Sequence, residues 1–354
     1  MELLETVISQ IIPQDREYRT RARERLEQLV MPMWALGDLM DLAVELAAMT
    51  RSMRPPVDRR TVAVFAADHG VTRSDVSQYP TEVTCQMVHA MASGKACINA
   101  LAQAANAQVV VVDAGVAGDL SSLMRQERII SKRVEAGTED MSCGPAMTRE
   151  QAIRALEAGI EVAQALHPST DLYAIGEMGI GNPTAASAII AAVSEMPVAS
   201  GTGSGSGISE ERFAHKVRVI ERALDVNRPD PEDGLDVLSK VGGFEIGAIA
   251  GFVLGAAAQQ KPVVLDGFPA TAGAVIAQLL APSSADYMIA GHRSVERGHD
   301  LMHDRLGKQP LLDLRMRLGE GTGAVLALPV VAASARLLWH VATFDEIGVS
   351  GANS

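Results

Sequence analysis

The chain has 354 residues and a mass of 37.4 kDa, room for two average domains or one large one. Surface scaling leaves about 14,000 Å² of about 54,000 Å² exposed on folding, so a core of this size needs no disulfide or metal staple. With 31 basic against 43 acidic residues, a net charge of −12, and only 2 Trp, 4 Tyr and 6 Phe, it lacks the basic face and stacking rings that nucleic acid binding requires, and the same charge disfavours an anionic membrane.

From the N-terminus, residues 1–29 carry neither a basic start nor a long apolar run, so no secretion signal is expected. Helical periodicity at 15–29 and 36–50 flanks a Met31-Pro32-Met33-Trp34 break. Five later segments share one design, an apolar, β-branched run that ends in a polar residue beside glycine: 61–70, 108–115, 171–181, 261–267 and 286–292. Runs apolar on both faces predict parallel strands covered on each side. Helical patterns at 82–104, 148–166, 184–192, 234–259 and 269–279 lie between them, and 322–344 is helical again. The longest apolar stretches, 246–258 and 324–335, span about 12 residues, short of a bilayer, and read as buried helices.

This alternation predicts an α/β fold: an open, mostly parallel, Rossmann-like sheet with helices on both faces and ligands at the strands' C-terminal edge. Residues 55–320 are expected to form that domain, with 1–54 and 321–354 making a small helical subdomain from both termini. Cys85, Cys97 and Cys143 are odd in number and match no metal or redox spacing, which points to a reduced, cytoplasmic chain.

The 31 glycines, about 9% against a usual ~7%, cluster at 176–182, 200–207 and 319–323. Such loops turn backbone N–H groups toward anions. No phosphate-loop signature occurs, because Gly94-Lys95 is followed by Ala96 and lacks the upstream glycine. Gly319, Gly321 and Ala324 satisfy G-x-G-x-x-A, yet no clean strand is visible before them, which argues against a dinucleotide site. Lys216 follows the second loop and suits a phosphate clamp, although the pattern fits a solvated surface lysine equally well. Glu177 and Glu320 sit inside glycine loops, where a carboxylate facing an apolar cleft can serve as general base; a hydrogen-bonded structural role is the competing reading. Asp68, Asp113 and Asp266 at strand tips either bind ligand hydroxyls or cap the next helix. His69, His292 and His299 share that edge, without paired spacing for a metal, and none is expected.

Ala67-Asp68-His69-Gly70-Val71, the segment from Val76 to Val88, Val112-Asp113-Ala114-Gly115-Val116, the 176–182 loop, Gly242-Gly243-Phe244-Glu245-Ile246, Leu265-Asp266-Gly267-Phe268 and residues 317–323 resemble, in order, the nicotinate-nucleotide:dimethylbenzimidazole phosphoribosyltransferase family. The resemblance covers roughly residues 30–345. It implies attack of a lower-ligand base on C1′ of nicotinate mononucleotide, giving an α-riboside 5′-phosphate for cobamide assembly without any cofactor. It implies Glu320 as general base and Glu177 as a second active-site carboxylate. Gly179, Gly203 and Lys216 would hold the phosphate, Ser77, Tyr79 and Gln86 would line the base pocket, and Asp266 is a further substrate-binding candidate. A homodimer is implied, or a heterodimer with a paralogue, since some relatives activate phenolic bases as paired subunits. Three departures stand out: Met31–Gly37 in place of the usual Lys-Pro-Pro-Gly-Ser-Leu-Gly, Pro183 in place of threonine, and Arg297 where proline is common. The alternatives are a phenolic or other benzimidazole acceptor, a weakly catalytic partner subunit, and a nicotinamide-dinucleotide oxidoreductase.

Overall fold

The computed structural model describes residues 1–194, 196–203 and 209–350. Its centre is a six-stranded parallel sheet built from β1 (Arg60–Ala67), β2 (Ala107–Gly115), β3 (Ile130–Ser131), β4 (Leu172–Met178), β5 (Val263–Leu265) and β6 (Met288–Ala290). The strand order is β3-β2-β1-β4-β5-β6. The order reverses between β1 and β4, the place where a doubly wound sheet opens a ligand crevice beyond its strands' C-terminal ends. The register fixes what stands there: Phe65 lies opposite Glu177, and Ala66 opposite Met178.

The all-apolar strands are explained by cover on both faces. Along β1, Ala63, Phe65 and Ala67 enter one core while Val62, Val64 and Ala66 enter the other. The first core is roofed by helices Arg149–Leu166, Asn182–Val193, Phe244–Ala258 and Phe268–Leu280, the second by Asp38–Thr50, Glu82–Ala92, Cys97–Ala104 and Thr322–His340. Helix Phe244–Ala258 is buried all round, and Phe252 stacks edge-on against Phe65 and Tyr173, with centroids 5.6 and 4.9 Å apart. Helices Arg149–Leu166 and Phe244–Ala258 approach unusually closely. A Cβ on Gly159 would stand 1.8 Å from the Ala248 carbonyl oxygen, and one on Gly251 1.8 Å from that of Leu156. Part of the glycine surplus therefore serves helix packing rather than loops.

Two expected helices are each divided by small residues. The 82–104 pattern breaks at Ser93-Gly94, where Gly94 takes φ +75°, and the 234–259 pattern breaks at Gly242-Gly243 into Gly234–Val241 and Phe244–Ala258. A strand does precede Gly319, contrary to expectation. In a separate two-stranded sheet, β7 (His292–Ser294) pairs in parallel with β8 (Leu312–Met316). β8 escaped notice because its middle residues are exposed and polar-rich, so it lacks the buried pattern of the main strands. It is not a member of the main sheet, so no dinucleotide βαβ unit is completed.

Helices Arg16–Glu27 and Asp38–Thr50 share a small third core with Leu338 near the end of Thr322–His340. The N-terminal helix Glu2–Gln10 lies elsewhere, feeding Leu4 and Val7 into the first core. Among the described residues one helix, Thr322–His340, is long and apolar enough to cross a membrane, and 61% of its apolar window is buried inside the protein.

Candidate active site

A cavity of about 720 Å³ opens at the sheet's C-terminal edge, above the β1/β4 reversal. Glu177 comes from the end of β4, and Glu320 from the loop joining β8 to helix Thr322–His340. Their loops touch directly. The Glu320 N–H donates to the Glu177 carbonyl at 3.2 Å. Gly176 permits this approach, because a Cβ there would lie 2.3 Å from the Gly321 nitrogen and 2.4 Å from the Glu320 carbonyl carbon.

Three successive residues hold left-handed backbone: Gly319 at φ +91°, Glu320 at +62° and Gly321 at +86°. A glutamate in that region costs of order 1–2 kcal/mol, and the surrounding contacts sustain it. Asp266 is the main restraint. Its two carboxylate oxygens accept the N–H groups of Gly321 at 3.0 Å, Gly323 at 2.7 Å and Ala324 at 3.0 Å, capping helix Thr322–His340. His292 Nε2 lies 3.5 Å from Asp266 Oδ1, and the imidazole packs against Gly323, where a Cβ would stand 1.9 Å from its Cδ2.

Burial raises both site carboxyls. Glu177 is pushed up to about 8, chiefly by desolvation; the Asn182 amide, which donates to its Oε2, pulls the other way, and the neighbouring Asp266, Glu245 and Glu320 add to the rise. Glu320 rises above the usual carboxylate range for the same main reason, moderated by the Ile98 N–H, which donates to Oε2 at 3.3 Å from the first turn of Cys97–Ala104. Beneath Glu177, His69 Nε2 and Glu245 Oε1 form a buried pair at 2.6 Å, and although burial opposes the charge, Glu245 lifts the imidazole above its ordinary value.

The cavity brings together Glu177, Glu320, Gly179, Ser77 and Tyr79. Gln86 is exposed and does not line it; Val83 and Met87 on the same helix do, because position 86 is rotated about 100° from 87. Asp266 is fully buried beneath the floor and acts as a cap. Gly203 lies against Glu296, which lines the cavity, and Lys216 Nζ donates to the Gly203 carbonyl at 3.4 Å. Residues 204–208 of the second glycine loop lie outside the described residues. Met31–Gly37 does not reach the cavity: Met31 and Trp34 pack on the third core, whereas Pro183 does line it.

Sequence reasoning missed Asn182 as the clamp on Glu177, the Ile98 N–H on Glu320, and the pairing of His69 with Glu245. Only the last had a visible signal, two chemistry-bearing residues in separate motifs. Met178, Met316, Leu318 and Phe268 supply the apolar part of the lining. Among the described residues no group of three or more His, Cys, Asp or Glu side chains is arranged for a metal.

A phosphoribosyltransferase family model matches residues 11–349. The nicotinate-nucleotide–dimethylbenzimidazole phosphoribosyltransferase of Syntrophotalea carbinolica is 56% identical over 99% of both chains, and that of Chloroflexus aggregans is 52% identical over the same shares. A crystal structure of CobT from Thermus thermophilus superposes with a TM-score of 0.90 at 46% identity, covering 94% of this chain and 99% of that one.

Proposed function

The chain belongs to the nicotinate-nucleotide–dimethylbenzimidazole phosphoribosyltransferase family, and from that premise we infer how its own residues carry the reaction. The enzyme transfers the phosphoribosyl group of nicotinate mononucleotide to a lower-ligand base, 5,6-dimethylbenzimidazole, releasing nicotinate and an α-linked riboside 5′-phosphate. A bond forms between one ring nitrogen of the base and C1′, while the C1′–pyridinium bond breaks and its electron pair returns to the pyridine nitrogen. The other ring N–H of the base must lose its proton, or the product stays cationic.

Glu320 takes that proton. The observation that supports this is its carboxylate at the cavity wall, fixed by a left-handed loop and held by the Ile98 N–H, with a proton affinity that burial raises. The leaving group departs as a neutral ring with its carboxylate, so no strong acid is required. Glu177, whose carboxyl stays protonated to about pH 8, can donate a hydrogen bond to the ribose or nicotinate. Ser77, Tyr79, Val83 and Met87 form one wall for the base. Gly179, Gly203 and Lys216 hold the phosphate end.

We read the enzyme as a cytoplasmic homodimer. The three cysteines are unpaired, as a reducing compartment favours, and Tyr79 and Leu318 at the cavity, with Val295 and Leu314, are large apolar side chains left exposed. The test of function is direct: the purified chain, given nicotinate mononucleotide and dimethylbenzimidazole, forms the α-riboside phosphate. Absence of product, or product only after a second chain is added, overturns the reading.

A further inference from the structure

Lys216, on helix Glu210–Asn227, is almost wholly buried, at 3% exposure. Burial pulls its pKa down to about 8, and the charge acting the other way is Glu296. Glu296 sits at the cavity wall immediately before helix Arg297–Leu306, placed by its own backbone: its N–H donates to Ser294 Oγ at 3.4 Å and its carbonyl accepts from the His299 N–H at 3.0 Å. Its carboxylate rests on Gly203. A Cβ built there would fall 1.3 Å from Oε2 and 2.5 Å from Cδ, so any side chain at 203 would push the carboxylate out of this place. The carboxylate and the buried lysine thus meet at the same glycine, whose carbonyl accepts from Lys216 Nζ at 3.4 Å, and Glu296 shares its wall with Ser294 and Gly179.

We propose that Glu296 is the built-in counter-ion of the phosphate subsite formed by Lys216, Gly203 and Ser294, occupying it in the free enzyme and displaced by the 5′-phosphate of the donor. The inference rests on the reading of Lys216 as a phosphate-holding group and adds a selectivity element to it. A phosphate monoester carries about −1.5 to −2 charges and three acceptor oxygens, and outcompetes a single carboxylate for one ammonium. A neutral riboside or a monoanion does not. Glu296 therefore penalises every donor that lacks the phosphate, which is discrimination by a repulsive element.

The test is Glu296→Gln assayed at pH 6.5, below the Lys216 pKa of about 8 in the parent protein, and repeated at pH 5.5 because loss of the Glu296 charge lowers that pKa further. The expected result is a fall, on the order of three- to tenfold, in KM for nicotinate mononucleotide and in the inhibition constant of inorganic phosphate, since a competing charge has been removed. A gain in affinity is not what a damaged fold produces. Unchanged or weaker binding overturns the proposal. Lys216→Gln separates the two levels: if it binds phosphate as tightly as the wild type, the subsite itself is wrong. If it loses phosphate while Glu296→Gln gains nothing, only the counter-ion role fails.

Discussion

The backbone N–H of Glu320 donates to the backbone carbonyl of Glu177 at 3.2 Å, so the two carboxylates of the site are mounted on one shared hydrogen bond between loops 143 residues apart. Their relative position is set by main chain, and small changes beneath that bond should disturb chemistry more than binding.

Gly176→Ala is the sharpest probe of that mounting. The added methyl would meet the Gly321 nitrogen at 2.3 Å, forcing the Glu320 loop away from β4. A misplacement near 1 Å costs on the order of 100-fold in turnover, so kcat should fall by about that much while KM for nicotinate mononucleotide changes less. Gly319→Ala should behave similarly, since its methyl would lie 2.4 Å from Glu177 Oε1 at a φ of +91°. Steady-state kinetics with thermal unfolding as the control decides it.

Glu320→Gln keeps the shape and the Ile98 hydrogen bond but cannot take a proton. Loss of a general base costs about 10²- to 10⁴-fold. Turnover should drop within that range with an unaltered melting temperature, and wild-type turnover would remove Glu320 from the chemistry.

Asp266→Ala removes the acceptor for three N–H groups at the start of helix Thr322–His340 and the partner of His292. A lost cap costs about 0.5–2 kcal/mol, and here the buried donors push toward the upper end. The melting temperature should fall by several degrees, and turnover should fall with it because Glu320 directly precedes the capped turn.

Lys216, depressed from 10.5 to about 8 by burial, gives kcat/KM an alkaline limb. The ammonium is lost as pH rises through about 8, and phosphate binding goes with it. Lys216→Arg, which stays charged across the accessible range, should remove the lysine's share of that limb, seen as inorganic-phosphate inhibition that no longer weakens through pH 8, and leave only the share of Glu177, which titrates over the same range. A limb that persists unshifted belongs to another group.

Glu177 is raised from 4.5 to about 8, so the folded state favours its protonated form. That contribution to stability is fully present below about pH 4.5 and is lost as pH rises toward 8. Glu177→Gln cannot ionise, and the melting temperature of the variant relative to the wild type should therefore climb between pH 5 and pH 8.5. A constant difference would show that Glu177 ionises normally.

The sequence by itself determined the layers and the edge. Strands apolar on both faces have only one stable home, a sheet covered twice, and their glycine-tipped ends then fall on one side; Glu177 and Glu320 stood out as carboxylates inside glycine loops, whereas Ser77, Tyr79 and Gly179 were indicated only by the family resemblance. The tertiary structure decided what no local pattern carries. Asp266 proved to be a cap because the nearest unpaired N–H groups come from residues 321–324, brought there only by folding. Gln86 turned outward while Val83 and Met87 turned in, a matter of helix rotation against the sheet. β8 was hidden because an exposed edge strand leaves no buried period to read. Glycine, too, divides this way: composition revealed a surplus, but only the packed helices show that Gly159 and Gly251 are there to let two backbones touch.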